Sequence, residues 1–493
     1  MSRNDELFNR FEALTFDDIV VVPGWSEVLP ADVDISARFA RDIVLNVPIM
    51  SAAMDKVTES QMAIAMARAG GIGVIHRNLT IADQAAQVER VKRSQSGMIA
   101  EPITLGPDAS LANADELMAR FHISGVPITS PDGSLLGILT NRDTRFTTVD
   151  DRRRSVTDFM TAAPLVTARP GTTLDEARSV LQKHRIEKLP IVDDAGKLVG
   201  LLTVKDIMKR VSFPKAVYDA SGRLVVAAAV GVGDDVEARV EALYARGVDA
   251  IVIDTAHGHS AGVVLTIKRI KGAWPTLAVV AGNVVTAEGV ETLAAAGADA
   301  VKVGVGAGSI CTTRVVAGAG LPQLSAIHDA SIASRRLDVP IIGDGGITYS
   351  GDIVKAIAVG ATTVMLGSML AGTDESPGEM ELFEGRRYKT YRGMGSLGAL
   401  SGLGADRYGT AQKGTGKSVP EGVEGRVPHV GPVHDMLDQL VGGLRSGMGY
   451  AGAADLEQLR TRSRLVKVTQ AGRAESHPHD VEITREAPNY QRG

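Results

Sequence analysis

A single cysteine, Cys311, in 493 residues excludes an intramolecular disulfide framework and leaves that thiol as either a small core residue or a reactive nucleophile. Composition alone favours the core role. Long apolar runs are missing: no stretch approaches the roughly 18 residues of a membrane span. The opening Met-Ser-Arg-Asn-Asp-Glu lacks the apolar segment of a secretory signal, so the expected location is the cytoplasm. Excess charge of one sign is missing as well. The 53 basic and 58 acidic residues are mixed along the chain for a net charge of -5, which offers no electrostatic footprint for nucleic acid or another acidic polymer.

What the sequence does contain is glycine and a balanced apolar content. With 44% hydrophobic and 23% charged residues it has the composition of a soluble globular protein, and 54 glycines point to tight backbone approaches or mobile loops. The length suggests two compact units, because a β/α barrel alone uses about 250 residues.

An internal repeat lies between about residues 98 and 210. Leu111 aligns with Leu174, Ile123 with Ile186, Pro127 with Pro190, Gly133 with Gly196, Gly137 with Gly200 and Asp143 with Asp206, each 63 residues apart with no gap. Each copy (98–146 and 160–210) has the pattern strand, amphipathic helix, strand, turn, strand, helix. The pair resembles two CBS modules. That resemblance implies binding of an adenine or guanine nucleotide, with Thr140, Asp143, Thr203 and Asp206 near ribose and phosphate. Each aspartate could equally cap the helix that follows it.

Outside the repeat the pattern changes to Val/Ile-rich strands that end in glycine or polar residues and lead into Ala-rich helical stretches. Examples are D-A-I-V-I-D-T-A-H-G (249–258), L-A-V-V-A-G-N (277–283), D-A-V-K-V-G-V-G (299–306), V-P-I-I-G-D-G-G (339–346) and T-T-V-M-L-G-S (362–368). N-V-P-I-M-S-A-A-M-D (46–55) and G-I-G-V-I-H-R-N (71–78) are of the same kind. Continuous apolar strands belong to a parallel sheet covered by helices. The expected fold is therefore α/β, a TIM (β/α)8 barrel formed by residues 1–95 and 212–493, with the repeat pair (96–211) inserted in a loop. A doubly wound open sheet is the alternative.

Polar residues that follow barrel strands are the expected chemical positions, because the C-terminal ends of all strands face one mouth. They are Asp254 and His257, Asn283, the glycine loop from Gly304 to Cys311, Asp344 with Gly345 and Gly346, and Gly367 with Ser368. Backbone N–H groups at Gly345-Gly346 and Gly367-Ser368 could cradle a phosphate, with a hydroxyl added by Ser309. Asp344 also suits a simple turn before two glycines. His257 and His259 form no metal set, since no third ligand has matching spacing.

The stretch G-V-G-A-G-S-I-C-T-T-R (304–314) is far more specific. Together with L-T-F-D-D, S-A-A-M-D-K-V-T-E, D-T-A-H-G-H, A-G-N-V, D-G-G-I-T-Y-S-G-D, Y-R-G-M-G-S-L and E-G-V-E-G-R-V-P, in that order, it resembles the IMP dehydrogenase / GMP reductase family over nearly the whole chain. The resemblance implies attack by Cys311 on the purine carbon between the two ring nitrogens of IMP, hydride transfer to NAD and a thioimidate that water hydrolyses, a step of guanine nucleotide biosynthesis. An unperturbed thiol is only a few per cent thiolate at neutral pH, so the nucleophile needs a supportive environment. The Gly-rich segment 391–431 looks like the family's flap. By analogy Arg407 is the base that activates water, Tyr408 its partner and Thr313 a second activating group. Without the resemblance, 401–418 has the composition of a disordered surface loop.

By the same analogy IMP contacts fall on Met54, Ser309, Asp344, Gly345, Gly346, Gly367, Ser368, Tyr391, Gly393, Met394, Gly395 and Glu421, with Asp344 on the ribose hydroxyls and Met394 and Glu421 at the base. NAD contacts fall on Asp254, Thr255, Asn283, Gly304 and Gly306. No G-x-G-x-x-G follows an early strand, so barrel loops would hold the dinucleotide. A potassium ion would be held by carbonyls of Gly306, Gly308 and Cys311, helped by Glu475, Ser476 and His477 of a neighbouring subunit in a homotetramer, with octamers open. That tail otherwise reads as a solvated charged end.

Three positions depart from the family pattern: Ala307 replaces a common proline, Gly343 precedes Asp344 where alanine is usual, and Lys56 takes a frequent threonine position. None removes a reacting group. Two other functions compete. GMP reductase shares the barrel, cysteine and nucleotide site but deaminates GMP with NADPH, and has no need of a hydrolysing Arg-Tyr pair. A nonenzymatic nucleotide sensor would require the barrel chemistry to be dead, whereas Cys311, Thr313, Arg407 and Tyr408 are all present.

Overall fold

The computed structural model describes residues 12–94, 102–121, 123–401, 419–485 and 487–490, with only the backbone of Lys209. The chain divides into two compact units. One comprises Met1–Ser94, Lys215–Val217 and Leu224–Gly493, the other Gln95–Pro214 and Tyr218–Arg223.

The first unit is built on a closed barrel of eight parallel strands, β1 (Ile49–Ser51), β2 (Ile72–Ile75), β3 (Ala227–Val230), β4 (Ala250–Asp254), β5 (Ala278–Val284), β6 (Ala300–Val303), β7 (Ile341–Asp344) and β8 (Thr363–Leu366). The strands follow one another round the barrel in chain order. Closure comes from Val364 beside Ile49, and the gap left by the insertion is bridged by Ala227 beside Val74. A closed ring excludes the open doubly wound sheet. Every strand residue is buried except Asp344, which is why these segments read as unbroken apolar runs with no alternation.

Helices follow the strands as the Ala-rich stretches indicate: α1 (Ser60–Ala69), α2 (Ile81–Ser94), α3 (Val236–Ala245), α4 (Ala261–Ala273), α5 (Ala287–Ala295), α6 (Gln323–Leu337), α7 (Ser350–Ala358) and α8 (Val433–Ala451). Two glycines set the approach of α8 to α7. A Cβ at Gly443 would lie 2.3 Å from Ser350 Cβ, and one at Gly447 would lie 2.5 Å from Val354 Cγ2, so any side chain there forces the helices apart. The N-terminal end of the barrel is plugged by a hairpin, Ala37–Ala40 with Ile43–Leu45, whose Phe39 and Leu45 are fully buried. Arg38 fastens it to Asp338 just ahead of β7. At the opposite end a three-stranded antiparallel sheet (Met380–Phe383, Arg386–Arg392, Glu424–Pro428) grows from the chain after β8. Among the described residues no helix is long and apolar enough to cross a membrane.

In the second unit the 63-residue offset holds for a helix and the two strands after it, whereas the first strand expected in each copy is reduced to a single bridging residue, Leu105 and Ala168. Helix Leu111–Phe121 corresponds to Leu174–His184, strand Gly125–Thr129 to Lys188–Val192, and strand Leu135–Thr140 to Leu198–Thr203. Each copy has its own core, around Leu111, Val126 and Leu139 in the first and around Leu181, Leu189 and Leu202 in the second. The copies are joined reciprocally at their turns: Leu135 N–H donates to Gly196 O (3.2 Å) and Leu198 N–H to Gly133 O (3.0 Å). The last element differs. Val204–Ser212 is helical, but residues 141–146 of the first copy form turns where a helix was expected. There the Asp143 carboxylate takes both the backbone N–H and the hydroxyl of Thr140 (each 2.7 Å), and N-R-D-T-R-F-T-T is rich in side chains that compete with helical backbone bonding.

Candidate active site

Four strand ends converge on one buried ammonium group. Lys302, in β6 and 1% exposed, reaches Asp254 Oδ1 at the end of β4 (3.0 Å), Asp344 Oδ2 at the end of β7 (2.7 Å) and Asn283 Oδ1 in β5. Asn283 Nδ2 donates in turn to Asp344 Oδ2 (2.8 Å) and Gly304 O (2.6 Å). Beside them the Thr255 hydroxyl donates to Gly282 O (2.7 Å). Two carboxylates in a nearly dry barrel interior are tolerable because the ammonium and the amide satisfy them.

The loop after β6 carries the thiol. It turns through Gly304 (φ +143°) and Gly306 (φ +74°), where a Cβ would lie 2.2 Å from Asp344 O and 2.4 Å from Arg314 Cγ respectively. Arg314 clamps the loop, its Nε donating to Val305 O (3.1 Å). Cys311 N–H donates to Gly308 O (3.0 Å), and the half-buried Sγ lies 3.1 Å from Thr313 Oγ1. Backbone bonds lace this loop to two distant segments: Thr312 N–H to Glu421 O (3.1 Å), Val423 N–H to Ile310 O (3.0 Å), Gly393 N–H to Val423 O (2.9 Å) and Glu421 N–H to Gly395 O (3.0 Å). Thus Cys311, Gly393, Gly395 and Glu421 share one wall, and Met394 between them is buried.

Tyr391 closes the opposite side. A Cβ on Gly367 would lie 3.1 Å from its hydroxyl and 3.3 Å from Met54 Sδ, so those three residues meet. Burial pushes the Tyr391 phenol well above its ordinary pKa; a hydrogen bond with Ser309 pulls the other way and the Asp344 charge adds to the rise. Ser368 opens the short helix Ser368–Ala371 beneath. Gly345 (φ +94°) brings its backbone close to Gly308 N, and Gly346 (φ +80°) packs on Gln323. The nucleotide contacts expected from sequence therefore assemble around one mouth.

Arg407 and Tyr408 fall outside the described residues. Glu475 ends helix Gln470–Glu475, Ser476 Oγ donates to Gly472 O (2.8 Å), and His477 packs its ring 6.0 Å from that of Tyr349, with Nδ1 on Tyr490 Oη (3.1 Å). In the inserted unit Thr203 Oγ1 contacts Asp206 Oδ2 (2.6 Å), as Thr140 contacts Asp143, and Asp206 lies in the first turn of helix Val204–Ser212. His259 bonds Thr292 Oγ1 (3.1 Å), and no group of three or more His, Cys, Asp or Glu suited to a metal occurs among the described residues.

Sequence reading missed Lys302, although it stands in the quoted D-A-V-K-V-G-V-G; a lone charge inside an apolar strand was the available signal. It also missed Gln323, whose buried Nε2 donates to Val303 O (2.9 Å) and Asp344 O (3.2 Å). The third omission is the pair Asp55–Arg392, which ties the Met54 turn to the Tyr391 strand through Nε (3.1 Å) and a second guanidinium nitrogen (2.6 Å) to Asp55 Oδ2.

Burial acts to raise the Asp55 carboxyl, but hydrogen bonds from Arg392 and Asn78, with the charges of Arg392 and His76, outweigh it and hold it below its ordinary value. A carboxyl depressed on folding contributes stability that is complete above its unfolded pKa, about 3.9, and is lost as pH falls through the folded one. Arg392→Gln is therefore expected to lower unfolding free energy by about 3 kcal/mol near neutrality, with the gap to the parent protein closing below about pH 4. Denaturant melts across that range check this; a gap that ignores pH would assign the loss to packing.

A closed parallel barrel with a cysteine loop and two carboxylates sharing a buried ammonium at the strand ends defines the molecule as a β/α-barrel protein with a polar site at its mouth. The chain belongs to the IMP dehydrogenase / GMP reductase family, whose domain model matches residues 13–479. An inosine-5'-monophosphate dehydrogenase of Aquifex aeolicus (strain VF5) is 58% identical over 480 residues, covering 97% of this chain and 98% of that protein. The Bacillus subtilis (strain 168) protein of the same name is 56% identical over 481 residues, covering 97% and 98%. Among solved structures, a cysteine-to-alanine variant of GMP reductase from Trypanosoma brucei, in complex with guanosine 5'-monophosphate, matches with a TM-score of 0.87 and 41% identity, covering 97% of this chain and 100% of that one.

Proposed function

We propose that the protein oxidises IMP to XMP with NAD as hydride acceptor, through a covalent intermediate on Cys311. The observation that carries this reading is the placing of the Cys311 thiol, on a loop backbone-bonded to residues 421–423, which are bonded in turn to 393–395, at a mouth shared with Asp344 and Tyr391. The Sγ attacks the purine carbon between the ring nitrogens. That carbon becomes tetrahedral and releases hydride, leaving a thioimidate, which water cleaves to XMP and free thiol. NAD supplies only the hydride-accepting chemistry.

The residues divide the work of binding. Asp344 accepts hydrogen bonds from the ribose diol, a carboxylate facing two donors. Backbone N–H groups of Gly345, Gly346, Gly367 and Ser368, with Ser309 and Tyr391, take the phosphate. Met54, Gly393, Met394, Gly395 and Glu421 surround the base. Asp254, Thr255, Asn283, Gly304 and Gly306 would hold the dinucleotide; the group types suit hydroxyl and amide partners, and Asn283 bonds Gly304 O at the start of the thiol loop. Arg407, Tyr408 and Thr313 activate the hydrolytic water. Carbonyls of Gly306, Gly308 and Cys311 are oxygen donors suited to a potassium ion, which would rigidify the thiol loop, with Glu475, Ser476 and His477 of a neighbouring subunit in a homotetramer. The inserted pair is a CBS (Bateman) domain that binds a purine nucleotide near Thr140, Asp143, Thr203 and Asp206.

GMP reductase is the second reading; a solved structure of that name is 41% identical, below the 58% and 56% of the two dehydrogenases named above. The deciding assay mixes full-length protein with IMP, NAD and potassium and follows NADH and XMP. Turnover supports dehydrogenase; absence of turnover, with ammonia released from GMP and NADPH, overturns it.

A further inference from the structure

Asp344 uses its two carboxylate oxygens unequally. Oδ2 receives both the Lys302 ammonium (2.7 Å) and the Asn283 amide (2.8 Å), while no hydrogen bond reaches Oδ1 among the described residues. The carboxylate is 20% exposed, whereas Lys302 is 1% exposed and Asp254 3%. The inner oxygen is thus anchored in the barrel and the outer one faces the mouth. Lys302 cannot swing away, because Asp254 and Asn283 hold the same ammonium from β4 and β5.

We propose that Lys302 is a positioning residue for nucleotide recognition: by anchoring Asp344 Oδ2 it aims Oδ1 at the ribose diol and so sets discrimination for ribose over 2'-deoxyribose. It touches no substrate. The inference rests on the assignment of Asp344 to the ribose, and deepens it. An unanchored carboxylate has two rotatable bonds and would meet a diol with either oxygen or neither, so the loss falls on the hydroxyl-dependent part of binding. Asp254 shares the ammonium but lies deeper, and neutralising it leaves the anchor on Asp344 in place.

The test uses the full chain and compares kcat/KM, together with equilibrium binding in the absence of NAD, for IMP and 2'-deoxy-IMP. A charge-assisted hydrogen bond gives the parent protein a preference for IMP of about 10- to 100-fold. Lys302→Met is expected to bring that ratio down towards unity, Lys302→Arg to retain most of it, and Asp254→Asn to leave it near the parent value even where NAD binding suffers. Should Lys302→Met fail to fold, Lys302→Gln, which keeps an N–H donor group without the charge, carries the comparison and is expected to fall between. A ratio in the Lys302→Met or Lys302→Gln protein equal to that of the parent overturns the proposal. So does an equal collapse in Asp254→Asn, which would mark general disruption of the floor. A parent protein that binds neither nucleotide overturns the nucleotide reading itself, and the proposal with it.

Discussion

Replacement of Cys311 by alanine is expected to abolish NADH formation from IMP and NAD, a loss of at least about 10,000-fold, while IMP affinity stays within about tenfold of the parent value. The two halves of this prediction have separate physical causes. No other nucleophile can take over, since Cys311 is the only cysteine and the hydroxyl of Thr313, 3.1 Å from Sγ, is far weaker at neutral pH. Binding survives because the loop is shaped by backbone: the Cys311 N–H to Gly308 bond and the Thr312 to Glu421 bond do not involve the thiol. The side chain is only half-buried, so its truncation leaves no large cavity. Rapid-mixing absorbance and intact mass after incubation with both substrates check the outcome. Residual NADH formation within a hundredfold of the parent, or a purine adduct elsewhere on the chain, would sink the assignment of the nucleophile.

The barrel was legible because its information is local. Strands buried on both faces leave unbroken apolar runs such as A-V-V-A-G-N, and each βα unit carries its own punctuation, so seven of the eight strands could be read one at a time, the exception being Ala227–Val230. The thiol loop was legible for the same reason, with Gly304, Gly306, Gly308, Cys311 and Thr313 falling within ten positions. Residues whose role is a tertiary contact were not legible. Asp55 and Arg392 meet across 337 positions, and Gln323 acts through carbonyls of two strands. Lys302 is the sharper case: on its own it looks like a charge misplaced in a strand, and only closure of the barrel supplies Asp254, Asn283 and Asp344 as its partners. The repeat shows the converse limit. Its offset aligns Asp143 with Asp206 faultlessly, yet the segment after Thr140 folds into turns and that after Thr203 into a helix, because Asn141 to Thr148 differ in backbone preference from Val204 to Val211.

Arg407→Ala is expected to separate the two chemical steps. In the first turnover it should release about one NADH per active site at nearly the parent rate, since in the proposed mechanism cysteine attack and hydride transfer precede the step that needs activated water. Steady turnover should then fall by about 100- to 10,000-fold, the usual contribution of a general base. An arginine holds its proton far too tightly to be a good base in isolation, so the proposed role requires either an unusual site or proton transfer from water concerted with attack on the thioimidate. The residual rate has a candidate source in Thr313, whose hydroxyl lies beside Sγ and therefore beside the carbon that sulfur holds. Adding Thr313→Ala to Arg407→Ala is accordingly expected to remove most of what remains and to trap the adduct. Quench-flow absorbance reads the burst, and intact mass reads the trapped species as protein plus IMP less two hydrogens, one lost as hydride and one as the thiol proton. A variant that shows no burst places Arg407 in an earlier step, and one that turns over as the parent does leaves hydrolysis to Thr313 alone.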